Sequence, residues 1–225
     1  MLVSSVGMGD ELPVGGRPIG VEECERRWEG WGPEQVFARL AEVSAPWGVV
    51  GGWALDLFGG GQARVHADIE IAVPRAAFGE VAAVLRGYEW DVVGEDTVWA
   101  YADVADHPEL HQTWLRDPAT GKYHLDVFRE PHDGDRWICR RDNAITLPYT
   151  ELIETGPGGV PYVIPEVVLL FKAKARRAKD DGDFARTLPL LSRHRVARLS
   201  EWLARVHPGH AWLAALAART PVGER

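Results

Sequence analysis

Asp68 and Glu70 stand two residues apart in the run His66 to Val73, where Ile69 and Ile71 alternate with them. Residues i and i+2 of a strand project from one face, so the carboxylates would point together while the isoleucines enter a core. Held this close, two like charges repel, and one pKa rises unless a cation neutralises them. Hard divalent cations such as Mg²⁺ take oxygen ligands of this kind and share them with phosphates. A third acid, Asp126, lies between Leu125 and Val127 in a second strand-like run, Tyr123 to Phe128. Three carboxylates from two neighbouring strands can hold two metal ions ~3.5–4 Å apart, an arrangement suited to in-line displacement at phosphorus. Taken alone, the Asp-x-Glu pair reads more simply as the solvent face of an edge strand.

The residues just upstream change that balance. Gly51 and Gly52 separate the apolar run Trp47 to Val50 from a short helix-like run, Trp53 to Phe58, which ends in Gly59, Gly60 and Gly61. Glycines at a strand-to-helix turn let backbone N–H groups approach a phosphate, and the helix offers its positive end. Lys172, Arg176 and Lys179 recur at i, i+4 and i+7, which predicts one basic helix face. Such a face could close over a triphosphate and stabilise the leaving pyrophosphate; a solvated face is the alternative. Asp180 and Asp183 are expected to pair with this cluster or to cap the next helix, and Asp56 to bond to the glycine loop.

The elements that must carry these residues follow from periodicity and turn signals. Met1 to about Gly20 has no apolar period and predicts a flexible tail. Helices are expected from Val21, from Pro33 to Pro46, and over Ala76 to Leu85. Strands are expected over Trp47 to Val50, His66 to Val73, Tyr88 to Val93 and Val98 to Val104. Gln112 to Arg116 and Tyr123 to Arg129 flank the turn DPATGK and predict a hairpin. Trp137 to Thr146 and Val160 to Ile164 each offer a further short strand. After Pro165 the pattern turns helical, with helices expected over Glu166 to Ala178, Asp183 to Leu191, Val196 to Val206 and Ala211 to Ala218.

Composition bounds the chemistry. The 225 residues are 46% hydrophobic and 26% charged, an ordinary globular balance. No apolar run approaches the ~18 residues of a membrane span, and the acidic N-terminus does not read as a secretory signal. Cys24 and Cys139 fall outside any metal-ligand spacing, which suits a cytoplasmic protein. The His107/His111 and His207/His210 pairs have helical spacing but each lies beside a proline, which makes zinc a poor expectation. A net charge of −8 argues against neutralising the phosphates of an extended nucleic acid. It permits a small anionic substrate where positive charge is local, and it favours cationic small molecules. The acids of Glu89 to Asp117, interleaved with Trp90, Trp99, Tyr101 and Trp114, would suit a polycationic sugar-like acceptor, or are simply solvated loop acids.

Gly51, Gly52, Trp53, Ala54, Asp56, Gly60, Arg64, His66, Asp68 and Ile69 fall without a gap on the pattern Gly-Gly-Trp-Ala-x-Asp, Gly, Thr-Arg-x-His-x-Asp-Ile-Asp. This stretch resembles the signature of the nucleotidyltransferase superfamily. More narrowly, it is similar to the bacterial aminoglycoside adenylyltransferases and lincosamide nucleotidyltransferases. Glu70 stands where those enzymes usually carry Asp, Ala63 where Thr is common and Gly61 where Arg is frequent. A weaker likeness covers Pro165 to Phe184.

The resemblance implies an α/β (α+β) fold, a nucleotidyltransferase-like mixed β-sheet flanked by helices with a C-terminal helical segment. The division it suggests is a tail over 1–20, a nucleotidyltransferase domain over 21–164 and a helical subdomain over 165–225. It implies ATP or another NTP with its phosphates over Gly51 and Gly52; Arg64 and His66, on the strand face of Asp68 if the strand extends that far, would steady those phosphates or the acidic cluster. Two Mg²⁺ ions would sit on Asp68, Glu70 and Asp126, and a hydroxyl of a small acceptor, an aminoglycoside or lincosamide, would take the nucleoside monophosphate. Asp126 is the candidate for helping to deprotonate that hydroxyl, with a carboxylate from the helical tail as the alternative. A protein or RNA acceptor, or a non-catalytic nucleotide-binding protein that has kept the fold, are the alternatives.

Overall fold

The structure is a computed structural model and describes residues 12–219. Its strands are β1 Arg17–Pro18, β2 Gly48–Val49, β3 Glu70–Pro74, β4 Glu89–Gly94, β5 Thr97–Ala100, β6 Gln112–Arg116, β7 Tyr123–Glu130, β8 His132–Asp133, β9 Arg136–Ile138, β10 Thr146–Pro148, β11 Ile153–Thr155 and β12 Pro161–Val163. Nine of them form one mixed sheet in the order β1-β5-β4-β6-β7-β3-β2-β12-β11, and β10-β9-β8 form a second, small one. The helices are α1 Val21–Arg27, α2 Pro33–Arg39, α3 Gly51–Gly59, α4 Phe78–Val84, α5 Tyr101–Val104, α6 Tyr149–Leu152, α7 Pro165–Lys172, α8 Ala178–Thr187, α9 Arg193–Val206 and α10 Trp212–Arg219.

The centre of the sheet explains why this sequence can carry acids on one face. β3 and β7 are parallel, with Glu70 opposite Asp126, Ile71 opposite Val127 and Ala72 opposite Phe128. Alternation then sends Ile69, Ile71 and Val73 with Leu125 and Val127 into the main core, all nearly fully buried. Each such side chain contributes roughly 1.5–3 kcal/mol on burial. Glu70, Ala72, Asp126, Phe128 and Glu130 are left on the opposite face. That core is continuous with the C-terminal helices, because Val167, Val168, Leu169 and Leu170 of α7 belong to the same buried cluster. α3 packs against α7 and α8, and α7 against α9. Glu166, fully buried at the start of α7, clamps α9 through Arg195 (2.8 Å) and Arg198.

Several expected boundaries move. The first eleven residues of the expected tail lie outside the described residues, but Arg17–Pro18 pair with Thr97 and Val98, and Ile19 is buried. α2 stops at Arg39 rather than running to Pro46. The chain turns where Glu80 accepts the N–H groups of Ser44 and Ala45 and the Ser44 hydroxyl. The strand expected to Val104 ends at Ala100; Tyr101, now in α5, packs on Phe78 with ring centres 4.9 Å apart. The stretch Trp137 to Thr146 takes part in two paired strands, β9 and β10, instead of one. No helix among the described residues is long and apolar enough to cross a membrane.

Candidate active site

Glu70 and Asp126 are lateral neighbours on the acid-bearing face. Asp126 is 3% exposed; its Oδ2 accepts from Gln112 Nε2 at 2.5 Å, while Oδ1 is buried without a hydrogen-bond partner. Burial, and then the charge of Glu70, raise the Asp126 carboxyl well above the usual range, with Gln112 and Trp114 relieving part of this. Glu70 opens onto a cavity but is otherwise enclosed by protein. Burial, then the charge of Asp68, pushes its pKa up to about 7 against the opposing pull of Lys172, Lys179 and Arg177. Asp68 is exposed at the cavity edge. Among the described residues no ion pair joins Asp68, Glu70 or Asp126 to a Lys, Arg or His.

The strand is shorter than its alternation predicts. It begins at Glu70, so Asp68, His66 and Arg64 lie on the connecting chain and share no strand face. The cause is local: Trp53 Nε1 holds the Asp68 carbonyl at 3.1 Å, turning it toward α3 and out of the ladder. Consequently no three His, Cys, Asp or Glu side chains among the described residues converge as a ready metal cage. The acids form an uncompensated cluster with one orphaned oxygen, which a hard cation fits.

α3 starts at Gly51, two residues earlier than expected, so both glycines lie in its first turn. Gly51 has φ +65°, and a Cβ there would overlap the Glu70 carboxylate, 2.9 Å from Cδ. A Cβ at Gly52 would collide with Arg64 and lie 2.5 Å from His66 Cε1. Glycine is therefore required for the acid and the two basic side chains to close on the start of the helix.

His66 is held from two sides. Its Nε2 meets Asp56 Oδ2 at 2.7 Å, and its ring stacks on Trp53 with centres 4.4 Å apart. Burial lowers its pKa although Asp56 opposes this. Asp56 thus bonds through its side chain to His66 and not to the glycine loop; only its backbone carbonyl receives the Gly61 N–H, at 3.0 Å. Arg64 forks onto Asp183 at 3.1 and 3.3 Å.

The single basic face over Lys172, Arg176 and Lys179 does not form. α7 ends at Lys172, a 3-10 turn covers Ala173–Ala175, and α8 starts afresh at Ala178. Asp180 accepts the Arg177 backbone N–H at 3.3 Å and so caps the new helix. Lys172 is spent on Asp180 (3.0 Å) and Asp183 (2.9 Å), the pairing expected for these acids. Arg176 turns to Asp181 at 2.6 Å. Lys172, Lys179 and Arg177 line the cavity, and Arg176 does not.

The cavity, about 320 Å³, continues past the acids along the C-terminal direction of β3 and β7. Its second lobe is walled by Phe128, Glu130, Trp137, Arg140, Arg141 and Phe171, none of them singled out by motif. The signal available was the Arg140-Arg141 pair after a tryptophan in an acidic chain. The acidic, aromatic region over 89–117 contributes nothing to the cavity wall. Asp91 there is buried against Arg116 (2.8 Å) and Tyr123 (2.8 Å), and Trp99 and Trp114 are core residues. His111 faces Arg75 at 2.9 Å, and burial lowers its pKa to about 4.

A family model described as aminoglycoside-2''-adenylyltransferase matches residues 34–105, the span that holds Gly51, Gly52, Asp68 and Glu70. No curated protein matches the sequence. Among solved structures, the chain is similar to the lincosamide antibiotic adenylyltransferase LnuA with lincomycin bound. The identity is 16% and the TM-score 0.50, over 78% of this chain and 100% of that one. It is also similar to ANT(2'')-Ia in complex with adenylyl-2''-tobramycin, at 18% identity and TM-score 0.51, over 83% and 95% of the two chains. These likenesses bear out the resemblance in the sequence and the expected fold, a nucleotidyltransferase-like mixed sheet flanked by helices.

Proposed function

We propose that the chain transfers a nucleoside monophosphate, AMP from ATP, to a hydroxyl of a small molecule in an Mg²⁺-dependent reaction. The observation that carries this reading is the Glu70–Asp126 register, with Glu70 against Gly51 at the start of α3 and the buried Asp126 Oδ1 without a partner. The family match, which covers Gly51, Gly52, Asp68 and Glu70 but not Asp126, supports it. A cavity of about 320 Å³ suits a small acceptor rather than a macromolecular one.

Asp68, Glu70 and Asp126 would hold the metal, which when bound neutralises their charge and that developing on the phosphates. The first turn of α3 presents backbone N–H groups to an incoming phosphate, and Gly51 and Gly52 let it approach. Lys179 and Arg177 add positive charge at the mouth. Lys172 and Arg64 act less directly, by fixing α8 through Asp180 and Asp183. His66, bound to Asp56 and stacked on Trp53, keeps Trp53 on the Asp68 carbonyl and so orients that acid. Asp126 is the candidate for taking the proton of the attacking hydroxyl. Catalysis then rests on alignment and charge neutralisation.

Pyrophosphate release with ATP, Mg²⁺ and a panel of hydroxyl-bearing small molecules, including aminoglycosides and lincosamides, tests the reading. Asp68→Ala should abolish release, and full activity in that variant would overturn the mechanism.

A further inference from the structure

The second lobe of the cavity has a charge pattern that bears on the acceptor, given the transfer reaction proposed above. Three acids line the whole cavity: Asp68, Glu70 and Glu130. The first two belong to the phosphate end. Glu130 is buried and already committed, to Arg140 at 2.9 Å and to Trp137 Nε1 at 3.0 Å. No carboxylate is left for an ammonium group.

Positive charge is in surplus there. Arg140 and Arg141 both lie over the Phe171 ring, at 5.1 and 4.5 Å. Glu130 answers one of these two guanidiniums. Arg141 meets only neutral acceptors, the Phe171 carbonyl at 2.9 Å and His207 Nε2 at 3.2 Å. No ion pair to Arg141 exists among the described residues. Burial, and next the neighbouring Arg140, lower its pKa, against the opposing pull of Cys139 and Glu130. His207 is likewise held toward its neutral form, by burial and then by Arg141. Phe128, Phe171 and Trp137 supply apolar wall around the two guanidiniums.

We propose that the acceptor is a hydroxyl-bearing molecule with an apolar or aromatic body and an anionic group, a carboxylate, that pairs with Arg141, and not a polycation. Phe128 and Glu130 lie two and four residues beyond Asp126 on the same strand face. At the strand rise these two positions lie roughly 7–13 Å along the strand from Asp126, so this part of the cavity is set apart from the reacting end. A guanidinium pairs with a carboxylate through two parallel hydrogen bonds, so a neutral isostere loses both charge and fit.

Calorimetry on the nucleotide-free protein tests this with three probes: para-hydroxycinnamate, its carboxamide, and tobramycin. Para-hydroxycinnamate should bind at least tenfold more tightly than the carboxamide, and tobramycin should not displace it. Arg141→Gln should abolish the preference and Arg141→Lys should keep part of it, each variant first checked for an unchanged melting transition. The comparison of probes on the parent protein stands even if a variant fails to fold. Equal binding of acid and amide, no binding of the acid, or displacement by tobramycin would overturn the proposal. So would an Arg141→Gln variant that binds ATP less tightly with no acceptor present, because the guanidinium would then serve the nucleotide. Failure of nucleotidyl transfer itself reads out differently, as no pyrophosphate from ATP while the carboxylate still binds.

Discussion

Glu70→Gln removes a charge without changing shape, and its effect on stability should grow with pH and reverse with metal. In the folded protein burial, and then Asp68, raise the Glu70 pKa from 4.5 to about 7. The unfolded chain therefore ionises first. Below pH 4.5 both states are protonated and the substitution is close to neutral. As pH rises toward 7 the unfolded state loses its proton while the folded state keeps it, so the parent loses stability relative to Glu70→Gln. Above pH 7 the difference is constant. The full shift corresponds to ~3 kcal/mol, and the water that reaches Glu70 through the cavity reduces this to about 2 kcal/mol. For a chain of this size that is a Tm difference of about 4–8 °C. Thermal melts of both proteins in chelator, from pH 4.5 to 8, read it directly. Taking the difference cancels other titrating groups, such as His111, whose lowered pKa has the opposite effect on both proteins. With Mg²⁺ in excess the parent should gain stability and the variant should gain less, reversing the order. A Tm difference that is independent of pH, or a variant less stable than the parent in chelator at pH 8, would refute the uncompensated acid cluster.

Gly51→Ala combines a positive φ with the overlap on Glu70. It should cost ~1–2 kcal/mol, a Tm drop of about 2–8 °C, and lose transfer activity out of proportion to that drop when pyrophosphate release is measured. Asp183→Asn strips Arg64 of its carboxylate and leaves Lys172 with Asp180 alone. Burial works against ionisation of Asp183, yet the hydrogen bonds from Arg64 and Lys172 outweigh it and hold its pKa below 3.8. Its contribution is therefore present at neutral pH and vanishes as pH falls through the folded value. Chemical denaturation should show a loss of ~3 kcal/mol at pH 7 and a shrinking difference below pH 4.

What the sequence made legible is the part built from short-range pattern. Ile69, Ile71, Leu125 and Val127 alternate with acids, and that alternation alone places Glu70 and Asp126 on one face of adjacent strands. The Gly51-Gly52 turn was readable for the same reason, since few other residues suit a tight strand-to-helix entry. The Lys172, Arg176 and Lys179 face was misjudged because a helical period says nothing about where a helix stops. Here the stop is set by Asp180 capping Arg177 and by two buried acids drawing Lys172 inward. The second lobe escaped notice because Phe128, Arg140, Arg141 and Phe171 come from separate elements and meet only through tertiary packing. Likewise, acids and tryptophans between 89 and 117 resembled a sugar-binding wall in one dimension, but Asp91 and Trp114 fold inward.

The central claim is that the Glu70–Asp126 face drives nucleotidyl transfer. The most direct measurement incubates the protein with ATP, Mg²⁺ and hydroxyl-bearing acceptors and follows pyrophosphate and acceptor mass together, for the parent and for Asp126→Asn. One pyrophosphate is expected for each acceptor that gains one nucleoside monophosphate, with both signals lost in Asp126→Asn while its fold is kept. Transfer that persists undiminished in Asp126→Asn would contradict it, as would ATP consumed to ADP and phosphate with no nucleotide on any acceptor.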